Sequence, residues 1–277
     1  MVFMKNNHMV FICLPAKTKN FLIQSSQPEI IDMLILVYGR YCCLINHNHR
    51  ESIIINVMKR YDGLYDIICD SPNITYMKIT KDPIQEIKKI ILENPSSSPS
   101  VMVFHGAAVK RNKGAYVFLA PTHGGKTTLT SFLLNKGYCY ISEDCTIVDM
   151  QDLHIIPCVT PIHLRPGGVK VLEEYGIFNN YPVIQTENVE RYIYFPKLAS
   201  QTNESIDGIF FLGRTTTTNK VQGLSKTQCI DFLLKSLMYP PQFNSRLFSF
   251  LNRLSGINTF SLSYCDMEYV DNILRQL

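Results

Sequence analysis

The segment that most restricts how this chain can fold lies at residues 115–135, where the apolar run AYVFLA passes through PTHGG into KTTLTSFLLN. Six consecutive apolar residues read as a buried strand and the apolar spacing of TTLTSFLLN reads as a helix, so the glycines fall in a strand-to-helix turn. Such a turn puts backbone N–H groups and the positive end of a helix dipole where an anion can meet them. Within APTHGGKT at 120–127, Gly125, Lys126 and Thr127 satisfy the end of the pattern GxxxxGK[ST], Gly124 adds backbone freedom, and Ala120 replaces the pattern's first glycine. Glycine lets the backbone approach phosphate oxygens, lysine reaches the outer phosphates, and a Ser/Thr hydroxyl meets Mg2+. Thr122, His123, Gly124, Gly125, Lys126, Thr127 and Thr128 are therefore expected to bind a nucleotide together with Mg2+.

The chain has 277 residues, 46% apolar and 18% charged, which suits one large domain or a domain with a smaller companion. A net charge of +4 is too small and too scattered to imply a nucleic-acid partner. Nine cysteines without a CxxC pair read as reduced core thiols rather than a disulfide or zinc framework. The first residues lack the pattern of a signal peptide, and no apolar run is long enough to span a bilayer; a cytoplasmic protein without membrane insertion is expected.

Residues 1–94 alternate short apolar runs with polar turns, as a small α+β unit does, and end in a helix over 84–92. NPSSSPS at 94–100 is the most turn-rich stretch and marks the boundary to a second domain at 101–277. His47 and His49, with Cys43 and Glu51 nearby, follow no recognised ligand spacing and read as a solvated turn. In the second domain VMVFHGAAV reads as one strand, KRNKG as a turn and AYVFLA as its hairpin partner. The helix over 127–136 ends at Gly137, a left-handed cap. A strand at 138–142 then leads to Glu143 and Asp144, TIVDM forms another strand, and QDLH a turn. SIDGIFFLG is a late core strand, and 227–238 and 266–277 are helices.

Glu143 and Asp144 follow a strand that comes directly after the phosphate helix. In an open α/β sheet that edge faces the ligand crevice, so one carboxylate is placed to reach Mg2+ and the other an incoming hydroxyl. Thr127, Glu143 and Asp144 are the expected metal contacts. A lone histidine on an apolar strand, as His105 is, is more often a satisfied core residue than a catalyst.

Taken together, His105-Gly-Ala, the strand pair, residues 120–127, a helix ending in Lys136-Gly137-Tyr138, and Ser142-Glu143-Asp144 resemble the catalytic domain of the HPr kinase family. That family's P-loop fold is similar to that of phosphoenolpyruvate carboxykinase. The resemblance implies that Glu143 and Asp144 supply catalytic base and metal contact, that His105 lines the site, and that Arg165, in PIHLRPGG, neutralises the transferred phosphate. Arg165 reads equally as a surface residue before a Pro-Gly turn, and Arg191 and Lys197 are further cationic candidates. Glu143 stands where the family usually has Asp, and the Arg- and Gly-rich signature of true HPr kinases is absent. The chain looks more like the HPr kinase-like enzymes encoded with peptide biosynthesis clusters, including those that phosphorylate the C-terminal serine of lasso peptides.

The expected fold is α/β: a P-loop kinase domain of the HPr kinase/carboxykinase type with a smaller N-terminal α+β unit. The expected catalytic residues are Asp144, Glu143, His105 and Arg165, and the expected activity is transfer of the ATP γ-phosphoryl group to a serine hydroxyl of a peptide or protein. A small-metabolite kinase, such as a free-serine kinase, and a non-catalytic nucleotide sensor are the alternatives. The resemblance also implies a homo-oligomer.

Overall fold

A computed structural model describes residues 8–12, 20–38, 42–43, 53–71, 74–93, 100–112, 114–177, 181–186, 189–197, 199–200, 202–215, 217–238 and 244–277. It is a mixed α/β protein with several sheets and seven helices among these residues, and it divides into two compact units, 1–94 and 95–277. No described helix is long and apolar enough to cross a membrane. His47, His49 and Glu51 lie outside the described residues, as does the side chain of Cys43.

The first unit contains β1 (His8–Ile12), β2 (Phe21–Ser25), α1 (Pro28–Tyr38), β3 (Cys42–Cys43), β4 (Ile53–Lys59), β5 (Tyr65–Ser71), β6 (Ile74–Thr80) and α2 (Pro83–Glu93). Its six-stranded sheet has the order β3-β1-β2-β4-β5-β6, with β2 and β4 parallel and the other neighbours antiparallel. Alternation in IIINVMK places Ile53, Ile55 and Val57 inside, and α1 buries Ile30, Ile31, Leu34 and Val37. Lys78 and the buried Glu86 pair at 2.6 Å, tying β6 to α2.

The second unit runs β7 (Val101–Phe104), β8 (Gly106–Arg111), β9 (Gly114–Leu119), α3 (Lys126–Asn135), β10 (Cys139–Ser142), β11 (Thr146–Asp149), β12 (Ile155–Ile156) and β13 (Ile162–Leu164). It continues with α4 (Pro166–Glu174), β14 (Val183–Thr186), β15 (Val189–Tyr194), β16 (Ile206–Arg214), β17 (Lys220–Gly223), α5 (Lys226–Ser236), α6 (Ser245–Leu254), β18 (Thr259–Tyr264) and α7 (Met267–Gln276). The main sheet has the order β10-β8-β9-β16-β18-β17, with β9, β16 and β18 mutually parallel at its centre. A central parallel strand is covered on both faces, which is why AYVFLA and GIFFL are apolar without alternation. Ala115, Val117, Leu119, Ile209 and Phe211 join a cluster with Leu233, Leu247, Phe250 and Leu254 from α5 and α6. Tyr116, Phe118, Phe210 and Phe260 pack ring on ring.

Two expectations need correction. VMVFHGAAV is not one strand: it breaks at His105, with β7 pairing β11 in a three-stranded sheet while β8 joins the main sheet. Continuous apolar character cannot reveal a change of sheet, because both halves are buried. Pro166-Gly-Gly is not a turn but the first turn of α4, where proline's fixed φ and missing N–H are tolerated. The sequence reading made no assignment for α6 or β18. The seven described cysteines whose side chains are placed are free thiols, and four of them are buried.

The C-terminal helix is pinned by a buried carboxylate. Asp271, 3% exposed, accepts a hydrogen bond from Tyr138 at 2.8 Å and pairs with Arg275 at 2.8 Å and Arg111 at 3.5 Å. Burial, with Asp271 alongside, pushes the Tyr138 phenol up to about 12. Asp271→Ala should lower unfolding free energy by about 1–3 kcal/mol in urea titrations, because the buried Tyr138 phenol loses its acceptor. The phenol is held neutral in the folded chain, so its contribution is complete below about pH 10 and is lost as pH rises toward about 12, on the order of 2–3 kcal/mol. Tyr138→Phe should flatten that alkaline decline in midpoint-versus-pH measurements.

Candidate functional site

Strand direction decides which chain ends meet. Because β9, β16 and β18 are parallel, their ends at Leu119, Arg214 and Tyr264 lie along one edge of the sheet. β8 is antiparallel to β9 with Gly106 opposite Leu119, so His105, just before β8, reaches the same edge. β10 is antiparallel to β8, and therefore parallel to β9; its last residue, Ser142, pairs with Ala108, and Glu143 and Asp144 follow. This carboxyl edge is where open α/β sheets bind ligands.

The turn from β9 into α3 is fixed by two close approaches. A Cβ on Gly124 would lie 2.5 Å from the Ala120 methyl, and one on Gly125 would lie 2.6 Å from the Tyr264 hydroxyl. Gly125 also has φ 86°, which suits glycine. His123 takes φ 68° without being glycine, and Gly124 N–H closes the turn on the Pro121 carbonyl at 2.9 Å. Gly125 caps α3 with no side-chain hydrogen bond, whereas Ser225, Asn244 and Asp266 cap α5, α6 and α7. The first turn of α3 thus has no side-chain acceptor at its cap.

Lys126 is 5% exposed, and its ammonium donates to the carbonyls of Ala120 at 2.7 Å and Pro121 at 3.2 Å. Burial lowers its pKa, while the charges of Asp144 and then Glu143 pull it back up. Thr127 donates its hydroxyl to Glu143 Oε1 at 2.5 Å, and Glu143 is 2% exposed. Asp144 is only partly buried and takes φ 64°, a left-handed conformation that Asp tolerates. His105 Nδ1 lies 3.2 Å from the Asp144 carbonyl, which only accepts, so the ring carries its proton on Nδ1.

Two arginines lie near this group. Arg165 is exposed, caps α4, and holds Nη1 3.0 and 3.1 Å from the two ring nitrogens of His123. Arg191 is half-buried; burial and then Arg165 lower its pKa, while Asp144 raises it. These influences bring Arg165, Arg191 and Asp144 into one electrostatic neighbourhood. A Cβ on Gly168 would meet Thr128 Oγ1 at 3.0 Å, so the starts of α3 and α4 adjoin. Thr122 is exposed on the turn; Lys197, after β15, is exposed too, and no described contact joins it to the site.

Among the described residues no group of three or more His, Cys, Asp or Glu side chains is placed to hold a metal alone. Thr127 and Glu143, hydrogen-bonded to each other with Asp144 next in the chain, carry oxygen donors of the hard kind that Mg2+ takes. A cavity of about 450 Å³ lies elsewhere, beside Lys110, Arg111, Lys136, Cys139 and Glu204. Its cations are already paired, Lys110 with Glu204, Arg111 with Asp271 and Lys136 with Glu268, so it offers no uncompensated positive charge. Burial alone would raise Glu204, but hydrogen bonds from Lys110, Ser200 and Thr202 outweigh it and hold the carboxyl below its usual range.

Two residues at the carboxyl edge escaped the sequence reading, Arg214 and Tyr264. Each ends an ordinary-looking strand, and only the β16–β18 pairing, which sets Arg214 beside Tyr264, brings them to Gly125. Compared with known proteins, the sequence matches no protein-family model and no curated protein.

Proposed function

We propose that residues 95–277 form an ATP- and Mg2+-dependent phosphotransferase of the HPr kinase-like P-loop type, passing the γ-phosphoryl group to a serine hydroxyl of a peptide or protein. The observation that carries this reading is the 2.5 Å bond between Thr127 and the buried Glu143, beside a buried lysine and an uncapped helix start. A hydroxyl and a carboxylate meet where a phosphate-bound cation requires oxygen donors, next to N–H groups aimed at an anion. The choice of serine in a peptide rests on the resemblance to the lasso-peptide-type kinases.

In this reading the first-turn N–H groups of α3 cradle the phosphate chain, and Lys126 turns from the Ala120 and Pro121 carbonyls to the outer phosphates. Bound with the nucleotide, Mg2+ would neutralise charge on the phosphate oxygens, held by Thr127 and Glu143. Asp144, the more exposed acid, accepts the proton of the incoming hydroxyl as that oxygen bonds to the γ-phosphorus and the bond to the ADP oxygen breaks. His105 holds the Asp144 backbone, and Arg165 and Arg191 stabilise the charge of the phosphoryl group in flight.

Calorimetric titration with Mg-ATP, followed by transfer assays on serine-terminated synthetic peptides and on free serine, tests the reading. Peptide transfer supports it, transfer to free serine moves it to a metabolite kinase, and binding without transfer leaves a nucleotide sensor. Lys126→Met should abolish Mg-ATP binding in a chain that still folds, with a lowered thermal midpoint because the Ala120 and Pro121 carbonyls lose their donor and the buried Glu143 loses a neighbouring positive charge. Asp144→Asn should keep Mg-ATP affinity and slow transfer by about 10²-fold or more, the size expected for a lost general base. Glu143→Gln should instead weaken Mg-ATP binding; the opposite pattern in the two variants would exchange their roles.

A further inference from the structure

The turn between β9 and α3 has two flanks, and the proposed chemistry uses only one. On the β10 side stand Glu143 and Asp144. On the other side, beyond β16, the ends of β16 and β18 meet a small cleft of about 60 Å³ lined by Gly125, Thr128, Glu174, Arg214 and Tyr264, among others. It has room for one small oxyanion.

Three observations point to a ligand there. Tyr264 is 3% exposed, yet its hydroxyl has no hydrogen-bond partner among the described residues and abuts the backbone of Gly125. The ring is buried while the hydroxyl reaches the cleft, so that donor is free to meet an acceptor there. Arg214 is exposed and makes no ion pair among the described residues, unlike Arg111 and Arg275, which are paired to Asp271. The cleft also opens on the first turn of α3, at Thr128, where helix N–H groups favour an anion. Glu174 lines the same cleft and sets a negative limit on one side.

We infer that this cleft is a phosphate subsite, in which Arg214 and the Tyr264 hydroxyl hold the phosphate group of a nucleotide nearest its ribose. The inference rests on the nucleotide reading above. The order β10-β8-β9-β16-β18 fixes the polarity: the outer phosphate belongs with the acids that follow β10, so the inner end of the phosphate chain extends toward β16 and β18. Burial, opposed by the Arg214 charge, pushes the Tyr264 phenol up to about 12, so it remains a donor at neutral pH. The phenol gives a hydrogen bond and the guanidinium a charge-assisted pair.

Binding of Mg-ATP and Mg-tripolyphosphate to the full chain and to Arg214→Gln, Tyr264→Phe and Lys126→Met, by calorimetry, tests this. Arg214→Gln should weaken both ligands by about tenfold or more, and Tyr264→Phe by about fivefold, with thermal midpoints unchanged. Equal losses for ATP and tripolyphosphate identify a phosphate subsite. A loss for ATP alone overturns it in favour of a ribose contact. Parental affinity in both variants, with binding lost in Lys126→Met, overturns the subsite while leaving the kinase reading intact. Absence of Mg-ATP binding to the parent chain overturns both.

Discussion

A buried ammonium is the constraint on which the second unit is built. Lys126 has lost nearly all its solvent, and an unpaired charge in that position would be expelled or neutralised. Two carbonyls of its own turn and the fields of Asp144 and Glu143 hold it. Each of those supports depends on backbone geometry that only this arrangement supplies. The turn that presents the carbonyls contains left-handed residues at His123 and Gly125, and the carboxylates arrive because β10 runs parallel to β9 two strands away. The glycines follow from the same constraint, for any Cβ at Gly124 or Gly125 would meet Ala120 or Tyr264. Ala120, which departs from the P-loop pattern, is accommodated because Gly124 leaves space for its methyl group.

Holding the far side of the site is the task of α7. Tyr116 donates to the Leu274 carbonyl at 3.2 Å, Tyr138 to Asp271 at 2.8 Å, and Tyr175 to Asp266 at 2.8 Å, while Met267 N–H returns to the Tyr175 oxygen at 3.0 Å. Three tyrosines, from β9, from the segment after α3 and from the end of α4, thus converge on one helix. These largely buried bonds contribute more than the half-exposed Lys136–Glu268 pair nearby. Since only two residues separate α7 from the end of β18, fixing its first turn also fixes Tyr264 against Gly125.

The local part of this design was legible in the sequence and the long-range part was not. AYVFLA, GG and the helical spacing after Lys126 announce a strand, a turn and a helix because each signal is contained within a few residues. Glu143 and Asp144 were legible because they follow a short strand close behind that helix. The break at His105 was hidden, since VMVF and GAAV are both buried and only their partners, β11 and β9, separate them. The start of α4 was hidden because Pro-Gly-Gly carries the composition of a turn. Arg214 and Tyr264 were hidden for a different reason: nothing in LGR or SLSY distinguishes them until a parallel pairing over some fifty residues aligns the two strand ends.

The charges around the turn come from separate segments. Glu143 and Asp144 stand on one flank, and Arg165, Arg191 and Arg214 on the flanks supplied by later segments. A bare anion entering at α3 would gain from the helix and Lys126 but would face two carboxylates, one of them buried where charge is weakly screened. Thr127 already donates to Glu143, so that hydroxyl is committed until a cation arrives for which both oxygens become acceptors. In the proposed reading, a cation therefore removes the repulsion and recruits the hydroxyl in the same event. Metal and polyphosphate then bind as a coupled pair, because each removes the electrostatic obstacle that the other would meet alone.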